Sequence, residues 1–254
     1  MRRPGLFGLA PALQRLFGAR LDVVWGITFV CMALYAISLA VDIGGIGMSG
    51  FSFLSPSHAS LVMLGMTGSR PVAWGSWWTV FTAIYLHGSL LHIFFNMMWV
   101  RQIGSLADME LGPARFFILF TLAGAGGFVA SVLMNSYFTI GASGSIFGLL
   151  GAMIAFRRRR GAHDDMMTQQ FLRWAVILFL FGLFMRGVDN WAHGGGFVVG
   201  YLLGRRFQGI QEKPETRGEQ LFALALFALT VVGFALSVIK GLPVLHDAMS
   251  RRGL

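Results

Sequence analysis

Long apolar stretches that recur along the whole chain, most of them ended by arginine, constrain this sequence more than any other feature. They run at about 21–41, 78–100, 116–134, 141–156, 171–185, 191–204 and 221–238, and each is continuous rather than alternating. In lipid a spanning segment must satisfy its own backbone, which only helices and closed barrels achieve. Barrel strands would alternate apolar with polar residues. The chain therefore reads as all-α, a polytopic helical membrane protein. With 56 % hydrophobic and 12 % charged residues, it lies well outside the range of soluble domains.

Residues 1–20 carry Arg2, Arg3, Arg15 and Arg20 and form a basic N-terminal segment. A basic lead before an apolar run is also the form of a signal peptide. This run is about twice as long as a signal-peptide core, so it reads as a retained first span. Residues 42–77 form a Gly/Ser/Pro-rich outer loop that keeps Phe51, Phe53, Leu54, Leu61 and Met63, as expected of a loop packed on the membrane surface. Trp74, Trp77 and Trp78 read as interfacial anchors. Residues 101–115 read as a short polar connection, and Gly187 to Asn190 as a tight turn. Residues 207–254 supply a charged linker, a seventh span and a short tail.

The formal charge of +9 would suit a nucleic-acid partner in a soluble protein. Here it reads as topology, because basic residues mark cytoplasmic segments. With the N-terminus inside, fifteen basic residues fall on the cytoplasmic side, against five (Arg70, Arg186, Lys240, Arg251, Arg252) on the other. The run Arg157 to Arg160 is part of that signal. The preference for Arg over Lys suggests a GC-rich bacterial genome, and so a multi-pass protein of a bacterial plasma (inner) membrane. Cys31, the sole cysteine, lies in the first span, so no disulfide framework or thiolate cluster is available.

This orientation has a chemical consequence. The second, fourth and sixth spans all run from outside to inside, so residues early in each share a depth near the outer face. Those residues are His87 and His92, Ser143, and His193. A serine hydroxyl needs a base to become a nucleophile, and imidazole is the usual one near neutral pH. Ser143 lies at a helix N-terminus, where free N–H groups and the dipole favour an oxyanion. His92 and Asn96 are four apart and so point from one helical face. Gly144 and Gly148, with Gly196, Gly200 and Gly204, repeat the small-xxx-small spacing that lets two membrane helices meet.

Each element has a plainer reading. Ser143 could be back-bonded in its helix, Asn96 could bridge helices, Phe147 could be core, and the glycines could be packing alone. Asp189 is four residues before His193 but falls in the preceding turn, and a Ser-His dyad leaves it out.

Three stretches together carry a resemblance. Gly141-Ala142-Ser143-Gly144, the pattern His87-x4-His92-x3-Asn96, and Ala192-His193-x2-Gly196-x3-Gly200 resemble rhomboid intramembrane serine proteases, as does Glu110-Leu111-Gly112-x2-Arg115-Phe116. The likeness covers roughly residues 78–204. It implies Ser143 as nucleophile and His193 as general base. It also implies an oxyanion hole from His92, Asn96 and the Ser143 backbone, His87 as nearby support, and Phe147 against the catalytic imidazole. Gly141, Gly144, Gly148, Gly196 and Gly200 would pack helices. The fold implied is a six-helix core over 21–206 with one extra C-terminal transmembrane helix (6+1). The activity implied is cleavage of transmembrane protein substrates within the lipid bilayer, near their outer ends, with no metal, no cofactor and no nucleic acid. One departure is Trp78-Thr79, where the family often has Trp-Arg.

Two rivals remain at this point. A non-catalytic rhomboid-like protein could bind or escort client helices in the same cavity. A metal-dependent enzyme or transporter could use His87, His92 and His193, although no HExxH pattern supports it.

Overall fold

The computed structural model describes residues 22–185 and 187–253; the basic segment 1–20, with Leu21, Arg186 and Leu254, lies outside the described residues. Within them the chain is all helical, with ten α-helices, short 3-10 turns and only two isolated β-bridges. The first helix, α1, is Val23–Ala40, capped by Asp22, whose carboxylate accepts the Trp25 N–H at 2.8 Å. The outer loop then holds α2 (His58–Met63) and α3 (Ser69–Ala73).

The second apolar run is not one continuous span. It forms α4 (Thr79–Thr82), running on as a 3-10 turn over Ala83–Tyr85, and then α5 (Leu90–Leu111), with a bend of 93° between the two parts. Leu86 is extended (φ −96, ψ 146), and the Ser89 side chain accepts the His92 N–H at 3.2 Å. Such a side-chain cap begins a new helix. His87 thus lies in the break, fully buried, rather than on a helix.

The polar connection expected over 101–115 is also helical. α5 continues to Leu111, and α6 (Pro113–Leu133) starts after Gly112 alone. Gly112 has φ +92, a conformation that glycine adopts at little cost, and Pro113 suits the first helical position.

The remaining helices are α7 (Ser143–Arg159), α8 (Met166–Phe184), α9 (Asn190–Gly204) and α10 (Arg217–Ser250). α1, α6, α8 and α10 are long and apolar enough to cross a membrane, and the bent pair α4/α5 makes a fifth candidate. α7 and α9, of 17 and 15 residues, are shorter than a bilayer span usually requires. They pack instead at the centre, where every α7 residue from Gly144 to Phe156 is buried. α6 and α9 lie along α7, α5 and α8 flank it, and α10 lies outside against α2, α4 and α6.

α10 has 34 residues, far more than the run 221–238, because a Thr216/Glu219 capping box starts it early and it continues past Pro243. Below its start, buried Arg115 forms a two-pronged ion pair with Glu219 (2.7 and 3.0 Å). Its other N–H groups bond the carbonyls of Gln208, Lys213 and Pro214. At the far end Arg252 meets the buried Asp42 carboxylate at 2.6 Å.

Candidate active site

Ser143 is the first residue of α7, and the chain reaches it through Gly141 at φ +119. Two contacts fix that entry. Gly141 N–H donates to Ala83 O at 2.9 Å, and Thr67 and Thr139 exchange backbone bonds of 3.2 and 2.7 Å. The turn before α5 and the outer loop therefore both hold the start of α7.

The two serines at this helix start differ. Ser145 is fully buried and donates to Phe120 O at 2.6 Å, so it is a satisfied packing residue. Ser143 is partly exposed, and its hydroxyl has no hydrogen-bond partner among the described residues, His193 included.

α9 reaches α7 through glycine. A side-chain carbon on Gly196 would strike the Gly144 backbone, one on Gly200 the Gly148 backbone, and one on Gly204 that of Ala152. In the other direction, a carbon on Gly144 would lie 3.3 Å from Ala192 O, beside His193. Gly141 stands outside this seam; a carbon there would lie 2.7 Å from His92 Nε2.

His193 is buried, and its ring lies parallel to that of Phe147, with centroids 4.3 Å apart and planes 20° apart. Phe147 is four residues after Ser143, and residues at that spacing share a helical face. The imidazole therefore rests on the same face of α7 that Ser143 heads.

His92 approaches from α5. Its Nδ1 accepts the Gly88 N–H at 3.2 Å, so in the neutral ring the proton sits on Nε2, the atom that lies over Gly141. Asn96 is buried; its Nδ2 donates to the His92 carbonyl at 2.8 Å, with a second N–H to spare, and its Oδ1 has no partner among the described residues. The His87 ring stands edge-on to His92 at 5.1 Å, and neither of its nitrogens makes a well-formed hydrogen bond among the described residues. His87, His92 and the head of α7 thus gather at one end of the bundle, and Phe147 joins His193 to them. Among the described residues no group of three or more His, Cys, Asp or Glu could hold a metal ion.

Asp189, left outside the dyad, is the N-cap of α9. Its Oδ1 accepts the Trp191 and Ala192 N–H groups, each at 3.1 Å, and its Oδ2 is buried with no partner among the described residues. The signal was available in the sequence, since an Asp ahead of an apolar helix is a typical cap.

Comparison with known proteins completes the picture. The Rhomboid domain family model matches residues 74–209. RHOMBOID-like protein 5 of Arabidopsis thaliana is 36 % identical over 158 residues, 59 % of this chain and 50 % of that protein. Rhomboid protease GluP of Bacillus subtilis (strain 168) is 30 % identical over 182 residues, 71 % of this chain and 35 % of that protein. A rhomboid-named protein of the same bacterium, YdcA, is 30 % identical over 172 residues, 63 % of this chain and 82 % of that protein. The match therefore spans half or less of the first two relatives and most of the third. The matched segment begins at Trp74 and ends just after α9, so it encloses every candidate site residue. The chain belongs to the rhomboid family.

Proposed function

We propose that this chain is an intramembrane serine endopeptidase working through a Ser143–His193 dyad. The observation that carries the reading is the Phe147–His193 stack, which sets an imidazole on the α7 face headed by Ser143. His193 Nε2 takes the Ser143 hydroxyl proton as Oγ attacks the scissile carbonyl. The same proton passes to the leaving amine, and water then hydrolyses the acyl-enzyme by the reverse sequence. The hydrogen bond between the two side chains forms when substrate closes the site; such bonds are often long in free enzymes.

The oxyanion forms at the start of α7, where the Ser143 backbone N–H has no helical partner. His92 supplies its Nε2 proton, and Asn96 its spare amide proton, to the same oxygen. Losing one such donor costs about 3 kcal/mol of transition-state stabilisation. His87 supports the His92 ring from the side. The seam of Gly144, Gly148, Gly196 and Gly200 holds nucleophile and base together.

The substrates are transmembrane proteins, cut near the outer face of a bacterial plasma (inner) membrane, with the N-terminus of the enzyme in the cytoplasm. The catalytic core is 21–206, and 207–254 adds the extra C-terminal helix. No metal or cofactor takes part.

Reconstituted protein should cleave a reporter transmembrane substrate and react with a fluorophosphonate at Ser143. Ser143→Ala and His193→Ala should each abolish cleavage, and full activity in either variant would sink the dyad. Client co-purification that survives Ser143→Ala, with no product from wild type, would favour the escort reading. Chelator inhibition without fluorophosphonate sensitivity would favour the metal reading.

A further inference from the structure

Among the described residues several buried polar atoms near the dyad lack partners, and two of them on one turn of chain are complementary. Asp189 Oδ1 is occupied with the cap of α9, but Oδ2 is buried with no donor among the described residues. His193 Nδ1 is buried with neither donor nor acceptor among them. The residues are one helical turn apart, and the His193 N–H donates to Asp189 O at 3.2 Å. The other polar side chain at this helix start, Asn190, faces away: its Oδ1 lies against Gly182 of α8.

A carboxylate oxygen only accepts, whereas an imidazole nitrogen accepts or donates according to tautomer. A buried polar group left unpaired costs about 1–3 kcal/mol. One choice relieves both atoms: the proton on Nδ1, turned to Oδ2 directly or through one water. The flat contact with Phe147 already restricts the plane of the ring.

We propose that Asp189 is a positioning residue for His193, its Oδ1 capping α9 while its Oδ2 holds the Nδ1 proton, so that Nε2 is left free for Ser143. The two imidazoles of the site are then set in opposite tautomers by the backbone and caps around them. His92 is held with Nε2 protonated by the Gly88 N–H, as an oxyanion donor needs, and His193 with Nε2 bare, as a base needs.

The inference rests on the dyad reading. Ser143→Ala tests that reading, and Asp189 variants test this one. Asn and Ser both cap helices well, so Asp189→Asn and Asp189→Ser keep the helix start and remove the carboxylate. The Asn amide would also offer His193 a donor where it needs an acceptor, favouring the wrong tautomer. In reconstituted membranes both variants should melt within a few degrees of wild type. Their kcat should fall at least about tenfold with KM changed less than about twofold, the split expected of a group that acts only in the chemical step.

A kcat within about twofold of wild type in both variants would overturn the proposal while leaving the dyad standing. A second measurement does not depend on the variants folding. In wild-type protein carrying 15N-labelled histidine, with the signal assigned by comparison with His193→Gln, the His193 proton should sit on Nδ1. A proton on Nε2 would overturn the proposal.

Discussion

Two interfaces of this molecule, α7 with α9 and α10 with the rest of the bundle, are built on contrasting plans. α7 meets α9 by backbone against backbone, with Gly196, Gly200 and Gly204 each leaving room for a single carbonyl of the facing helix. α10 meets the rest of the bundle mainly through polar points, Arg115–Glu219 near one end, Asp42–Arg252 at the other and Trp78 Nε1 to Ser237 Oγ between, with one close glycine approach, Gly241 on the Met63 backbone. The first plan fixes distance and tolerates nothing added. The second fixes position through groups that can be lost one at a time. It is the first plan that carries Ser143 and His193, the proposed nucleophile and base, which such chemistry would need held to a fraction of an ångström. An accessory helix tolerates the second.

The seam should therefore break hardest. Gly200→Leu would drive a branched side chain into the Gly148 backbone, where no flexible group can yield, and should prevent native assembly. Gly200→Ala should cost about 1–3 kcal/mol of stability, as overpacking in a filled core does. On the same helix, a carbon on Gly194 would meet nothing within 4 Å, so Gly194→Ala should melt like wild type. Thermal melts in detergent separate the three. Equal behaviour at 194 and 200 would mean that the close approach does not decide stability.

The Arg115–Glu219 clamp comes next. Arg115 is almost completely buried, and truncating it strands the Glu219 carboxylate and three carbonyls. Arg115→Ala should cost about 3–5 kcal/mol, the usual result of removing one partner of a buried pair. Because the clamp is remote from Ser143, kcat per folded molecule should change little. A large fall in kcat with unchanged stability would show that α10 acts on the site rather than on the scaffold.

How much of this was legible in the sequence depended on the kind of signal. Apolar runs located the helices, and the four-residue glycine spacing in two of them marked the faces through which α7 and α9 touch. The ends were harder to read. Hydrophobicity continues through Leu86, Leu90 and Leu91, so it conceals the break, which Ser89 makes by capping α5. Polar residues from Arg101 to Glu110 suggested a connection, yet polarity does not end a helix. The Gly112-Pro113 pair does, through a positive φ followed by a residue made for a first turn. Thr216 and Glu219 are spaced as a capping box, a signal for the early start of α10 that reading the stretch as a charged linker passed over. Around Ser143, residue types and spacings could nominate the participants, but not the Phe147–His193 stack or the unpaired atoms of Asp189 and His193. Those depend on how two helix starts are rotated against each other, which no local pattern encodes.

The Asp42–Arg252 clamp should give the smallest effect, and it carries a pH signature. Burial alone would raise the Asp42 carboxyl, but hydrogen bonds from Ser57, Arg252 and Gly45, with the guanidinium charge, hold it below its ordinary value of 3.8. A carboxylate depressed in the folded state stabilises above its unfolded pKa, and that contribution disappears as pH falls through the folded one. Wild-type protein should therefore lose this part of its stability below about pH 4. Arg252→Ala should lose about 1–3 kcal/mol at neutral pH, the cost of leaving a buried acceptor unpaired. The variant should also show a flatter dependence on acid, because the interaction that acid removes is already gone. Unfolding measured at pH 7 and again near pH 3 decides the matter. If wild type and Arg252→Ala differ by as much at pH 3 as at pH 7, the Asp42–Arg252 pair is a crowded contact rather than an electrostatic clamp.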